Sequence, residues 1–131
     1  MRMIRPLLSL ALAAAVAAPT AAQRPDPRTR LDRLLAGRVA GEPVSCIDPN
    51  RVRRTEVVPG QAIVYRIGSR LYVNRPSIGL DRLDDDSIFT SRRPTALLCR
   101  SEPLQLLDRV TGIQRGFVTL GDFVPYERAG S

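Results

Sequence analysis

At 131 residues the chain has room for one small domain, and with 44% apolar and 25% charged residues it has the balance of a folded globular protein despite its 11 prolines. The formal charge of +7 arises without lysine, so every cationic side chain is an arginine, and neither histidine nor tryptophan occurs. Lack of histidine excludes Ser/His/Asp and Cys/His catalytic arrangements and histidine-ligated metals, and no glycine-rich phosphate loop or dinucleotide fingerprint is present.

Arg2 and Arg5 precede a nearly unbroken apolar run from Leu7 to Ala18, followed by Pro19-Thr20-Ala21-Ala22. A positive start, an apolar stretch of about a dozen residues and a small-residue exit are the parts of a cleaved secretory signal, whereas a membrane span takes about 20 residues. The pattern predicts a signal peptide over 1–22, cleavage after Ala22, no transmembrane anchor, and a periplasmic or secreted product. Without Arg2 and Arg5 the charge falls to about +5, enough to attract anionic surfaces weakly but below the density of a dedicated nucleic-acid binder.

Residues 23–40 read as a polar tether and a short helix. Pro25 and Pro27 mark the tether, Thr29 caps a helix over 30–36 with Leu31, Leu34 and Leu35 on one face, and Gly37 ends it. From 41 to 131 the texture is that of a single small β domain, with short β-favouring runs separated by proline, glycine and asparagine. Turns are expected at Asp48-Pro49-Asn50 and Pro59-Gly60, and strands over 55–58, 87–90, 96–100, 104–109, 113–120 and 123–126. The clearest unit is a hairpin over 62–74, where Ile63, Tyr65 and Ile67 alternate before Gly68-Ser69 and Leu71 and Val73 resume after it. With a single buried side, an odd loop puts Ile67 and Leu71 together, whereas a two-residue Gly68-Ser69 turn pairs Tyr65 with Tyr72. The stretch 75–86, with Asp84, Asp85 and Asp86, reads as a connection too polar for the core. These elements predict a mainly β fold, a small antiparallel barrel or compact sandwich of about six to seven short strands with one N-terminal helix. Tyr65, Tyr72, Phe117, Phe123 and Tyr126 are expected to pack inside it.

Beyond the leader the only cysteines are Cys46 and Cys99. Two cysteines in an exported chain most often form a disulfide, and closing a loop of about fifty residues stabilises by about 4 kcal/mol in the chain-entropy estimate. Two free thiols or a redox pair are the competing readings, and a metal site is the weakest because further ligands are lacking.

The chain resembles a family of short, exported, uncharacterised alphaproteobacterial proteins. The resemblance spans 46–126 and rests on Cys46-Ile47-Asp48 with Arg51, Ile63-Val64-Tyr65-Arg66, Leu71-Tyr72-Val73-Asn74-Arg75-Pro76, Leu98-Cys99, and the segment Gly116-Phe117-Val118-Thr119-Leu120-Gly121-Asp122-Phe123-Val124-Pro125-Tyr126. Members often carry two further cysteines, one after the Tyr-Val-Asn-Arg segment and one before the Leu-Gly pair, and both are missing here. If the family's bridges join its first and third and its second and fourth cysteines, one whole pair is lost and a Cys46 to Cys99 bridge is implied. The resemblance implies an address and a fold but no activity.

Arg51, Arg53 and Arg54 form the densest basic cluster, with Arg66, Arg70, Arg75, Arg92 and Arg93 as neighbours across a sheet. Such a patch can hold phosphate or carboxylate groups through bidentate guanidinium contacts. The plainer reading is that these arginines are the solvated face of half-exposed strands. Asp81, Asp84, Asp85 and Asp86 could offer oxygens to calcium, but their spacing is not that of a calcium loop and a solvated acidic loop is favoured. The functional expectation is a non-catalytic cell-envelope protein, a binding or structural module without cofactor, contacting an envelope component or anionic ligand as a monomer. The alternative is a hydrolase of cell-wall polymer working through two carboxylates.

Overall fold

The computed structural model describes residues 10–18, 25–90 and 96–130. Arg2 and Arg5 of the positive start and the proposed cleavage site lie outside the described residues, as do Arg92 and Arg93. Residues 10–18 carry neither helix nor strand, and Leu10, Leu12 and Val16 are all exposed.

Helix α1 (Pro27–Leu35) begins earlier than the Thr29 cap suggested. Asp26 is the cap, its carboxylate accepting from the Arg28 N–H at 2.8 Å, and Pro27 occupies the first turn, where its missing N–H costs nothing. Pro27 therefore starts the helix instead of prolonging the tether. The strands are β1 (Arg38–Ala40), β2 (Cys46–Ile47), β3 (Arg54–Val58), β4 (Ala62–Ile67), β5 (Arg70–Asn74), β6 (Ser87–Thr90), β7 (Leu98–Cys99), β8 (Pro103–Asp108), β9 (Gln114–Thr119) and β10 (Phe123–Arg128). The mainly β expectation holds. Strands β1 and β2 were not foreseen, being too short to display a period of two.

All pairings are antiparallel. A five-stranded sheet runs β1-β10-β5-β4-β3, a three-stranded sheet β6-β8-β9, and β2 pairs with β7. No sheet closes on itself, so the arrangement is sandwich-like and not a barrel. One face of the large sheet meets α1: Leu31 is buried with Val58, Ala62, Val64, Leu71 and Val73. The other face meets the three-stranded sheet, with Ile63, Tyr65, Leu104, Leu106, Val118 and Phe123 in the shared core. The helix and residues 38–40, set ahead of the β domain in the sequence reading as part of a tether and short helix, pack against and pair with it.

Burial on both faces explains the hairpin. Gly68, at φ 59, opens a two-residue loop of the kind that needs glycine first, and Tyr65 pairs with Tyr72. Ile63 and Tyr65 face one core while Leu71 and Val73 face the other, so the odd loop inferred from a single buried side does not form. Two further expectations are corrected. Leu83 joins the core because the 3-10 turn Leu80–Arg82 sets Leu80 and Leu83, three residues apart, on one side. Phe117 is 45% exposed, because alternation along β9 sends Val118 inward.

The chain from β9 to β10 is held by Asn74 at the end of β5. This side chain is fully buried, donating from Nδ2 to the Gly121 carbonyl at 2.8 Å and accepting at Oδ1 from the Gly121 N–H at 3.0 Å. Only glycine fits there, since a Cβ would stand 2.4 Å from the Arg75 carbonyl oxygen. Cys46 and Cys99 lie opposite each other in β2 and β7, 4.0 Å apart at Cα, and form a disulfide.

Asn74→Ala leaves the half-buried Gly121 N–H and carbonyl without this partner and is expected to lower the unfolding free energy by about 1–3 kcal/mol, read from the denaturant midpoint. Replacing both cysteines by alanine should cost about 4 kcal/mol by the same measurement.

Candidate anion-binding site

Successive residues of a strand face opposite sides of a sheet, and this sorts the arginines. On β3, Arg54 shares the helix face with Glu56 and Val58; on β4, Arg66 shares it with Ala62 and Val64. Arg54 and Arg66 are direct cross-strand partners. Where α1 ends, its Leu34 and the sheet residues Arg54, Glu56, Val64, Arg66 and Leu71 enclose a groove of about 310 Å³.

The charge around this groove is unevenly compensated. Arg30, on α1, donates to Glu56 from Nε (3.2 Å) and Nη2 (2.9 Å) and to Asp85 from Nη1 (2.8 Å), tying the helix to β3 and to the loop before β6. Asp85 first, then Glu56, raise the pKa of this guanidinium above the ordinary arginine value. The groove's acid is therefore engaged by Arg30. Neither Arg54 nor Arg66 forms an ion pair with an acid among the described residues. Like charges directly opposite each other on neighbouring strands are destabilising, so the pair carries a cost that an anion lying between them would remove.

Two more arginines extend the positive face. Arg38 of β1 and Arg128 of β10 are also cross-strand partners, on the same face as Arg66. Arg38 donates from Nη1 to the carbonyls of Ser69 (2.8 Å) and Tyr126 (3.3 Å), which fixes it over the hairpin turn. Its pKa is lowered, by partial burial first and then by the charges of Arg128 and Arg66.

The expected trio is thus divided. Arg54 lines the groove, Arg51 ends the 3-10 turn Pro49–Arg51, and Arg53 lies in the link just before β3, exposed, its N–H donating to the Arg66 carbonyl at 2.8 Å. Of the proposed neighbours, Arg66 joins Arg54; Arg70 pairs with Glu127 at the hairpin turn, and Arg75 is exposed beyond the opposite end of β5. Arg38 and Arg128 were missed in the sequence reading. Only the pairing of the first strand with the last unites them, and no local motif signals it. The acidic loop is divided as well: Asp84 pairs with Arg115 at 2.6 Å and Asp85 with Arg30, and no group of three or more potential ligands is placed to hold a metal among the described residues.

Arg54→Gln relieves the cross-strand repulsion and is expected to raise stability by about 0.2–1 kcal/mol in low-salt denaturation, a gain that shrinks as salt is added. No protein-family model, curated protein or solved structure matches the chain.

Proposed function

We propose that the protein is an exported, non-catalytic component of the cell envelope that binds an anionic group, phosphate or carboxylate, in the groove between α1 and the five-stranded sheet. The observation that carries this reading is the directly opposed Arg54 and Arg66, exposed and half-exposed respectively, without an acid partner among the described residues. Two guanidinium forks on adjacent strands match the bidentate geometry that phosphate and carboxylate oxygens take. The surrounding charge of Arg38 and Arg128 adds long-range attraction.

Export is supported by the disulfide, which persists where thiols are not kept reduced, and by the exposed apolar stretch at 10–18, which takes no part in the core. No helix among the described residues is long and apolar enough to cross a membrane. A binding role is favoured over the two-carboxylate hydrolase because Glu56 and Asp85, the acids that converge beside α1, both accept from the Arg30 guanidinium and are not presented to a substrate.

Titration with inorganic pyrophosphate tests the groove directly. Binding should weaken steadily with added salt and fall at least about tenfold in an Arg54→Gln, Arg66→Gln double variant, the loss expected for two charge-assisted contacts. Affinity that is unchanged by salt, or by the double substitution, would remove the arginine pair from the reading.

A further inference from the structure

We propose that the hairpin tip joining β8 to β9 is an anchor that inserts into the interface of an anionic lipid bilayer. The tip presents Val110 and Ile113, 86% and 66% exposed, the most exposed large apolar side chains described beyond residue 25. A single exposed aliphatic residue is ordinary on a protein surface. Two on one turn, held rigidly outward, call for a partner.

The N–H groups of the tip are all bonded within the protein. The Asp108 carboxylate accepts from the N–H groups of Val110 and Thr111, both at 2.9 Å, and the Asp108 carbonyl accepts from Gly112 at 2.8 Å. Ile113 donates to the Thr111 hydroxyl at 3.3 Å, and Arg109 donates to the Asp86 carbonyl at 2.9 Å. Every N–H from Arg109 to Ile113 is therefore satisfied within the protein. A protein partner could satisfy open donors itself, but lipid chains cannot, so a turn that reaches the headgroup boundary is favoured by arriving with its N–H donors already bonded. The same bonds, Thr111's first and Val110's second, hold the Asp108 carboxyl below the usual carboxylate range and keep the turn in shape at neutral pH.

The apolar character continues onto the outer face of the sheet. Ile88 and Leu107 are register partners next to the tip, and Phe117, on that face further along, is also exposed. Nearby, Arg82, Arg109 and Arg115 are offset by Asp84, Asp86 and Asp108, with Arg115 paired to two of them. The preference for an anionic surface consequently comes from the net positive charge of the whole chain, and the adhesion from the aliphatic pair.

The absence of tryptophan makes the test direct. In the full chain, Ile113→Trp places one reporter at the tip and Ser69→Trp places a control in the β4 to β5 turn. With brominated vesicles of mixed phosphatidylglycerol and phosphatidylcholine, the tip reporter should shift to shorter wavelength and be quenched, and the control should not. Adding Val110→Ser to the tip reporter should lower the partition coefficient about tenfold, the effect of withdrawing one aliphatic side chain from lipid. The proposal is overturned if the tip reporter is unaffected by anionic vesicles, or if both reporters are quenched alike, which would mean adsorption through the apolar stretch near the N-terminus. It is equally overturned if Val110→Ser and Ile113→Ser leave vesicle binding intact but abolish self-association, which would assign the tip to a second copy of this chain.

Discussion

The buried carboxamide of Asn74, bonded on both sides to the Gly121 backbone, is the contact from which the rest of the arrangement follows. A carboxamide has one donor end and one acceptor end, and so does a peptide unit; matched in a dry site, each satisfies the other without a charge. The match needs a residue without a side chain at 121, and the Arg75 carbonyl leaves room for none. Because the chain is held there, β10 starts beside the end of β5 and runs antiparallel along it, and β1 then finds its partner in β10. Arg38 and Arg128 reach the neighbourhood of Arg66 by this route. The groove's positive face is a consequence of a neutral contact at the other end of the strand.

The arginines have separate duties. Arg30, Arg100 and Arg115 are tied to carboxylates and join segments far apart in the chain, Arg30 doing so between the helix, β3 and the loop before β6. Such half-exposed pairs contribute about 0–1 kcal/mol each, so they orient the layers more than they hold them. Adhesion between layers comes from the two apolar clusters and the disulfide. Arg54 and Arg66 stand outside this scheme, opposed to each other and without an ion-pair partner among the described residues. A fold that tolerates that repulsion has its stability from elsewhere, which leaves the pair available for a ligand.

Groove and tip occupy different parts of the sandwich: the groove lies on the helix face of the five-stranded sheet and the tip belongs to the three-stranded one. As proposed, one would use charge against charge in water, the other apolar contact beyond it. The tip stands beyond the packed layers, whereas Arg54 and Arg66 lie on the helix face itself, where α1 ends and no longer covers the sheet.

What the sequence by itself determined was local: the hairpin over 62–74, the turns at Pro59-Gly60 and Asp48-Pro49-Asn50, most of the later strands, and the mainly β class. These depend on alternation and on glycine and proline, which act within a few residues. It also singled out Arg54, though in company with Arg51 and Arg53, because a linear cluster does not reveal where the strand begins, and only Arg54 of the three lies in it. Only the tertiary structure decided which arginines meet. A sheet that is buried on both faces leaves two opposite apolar patterns on one hairpin, and the pairing of β1 with β10 joins residues from the two ends of the domain. Neither effect has a short-range signature, since each is set by what lies across the sheet and not by what comes next in the chain.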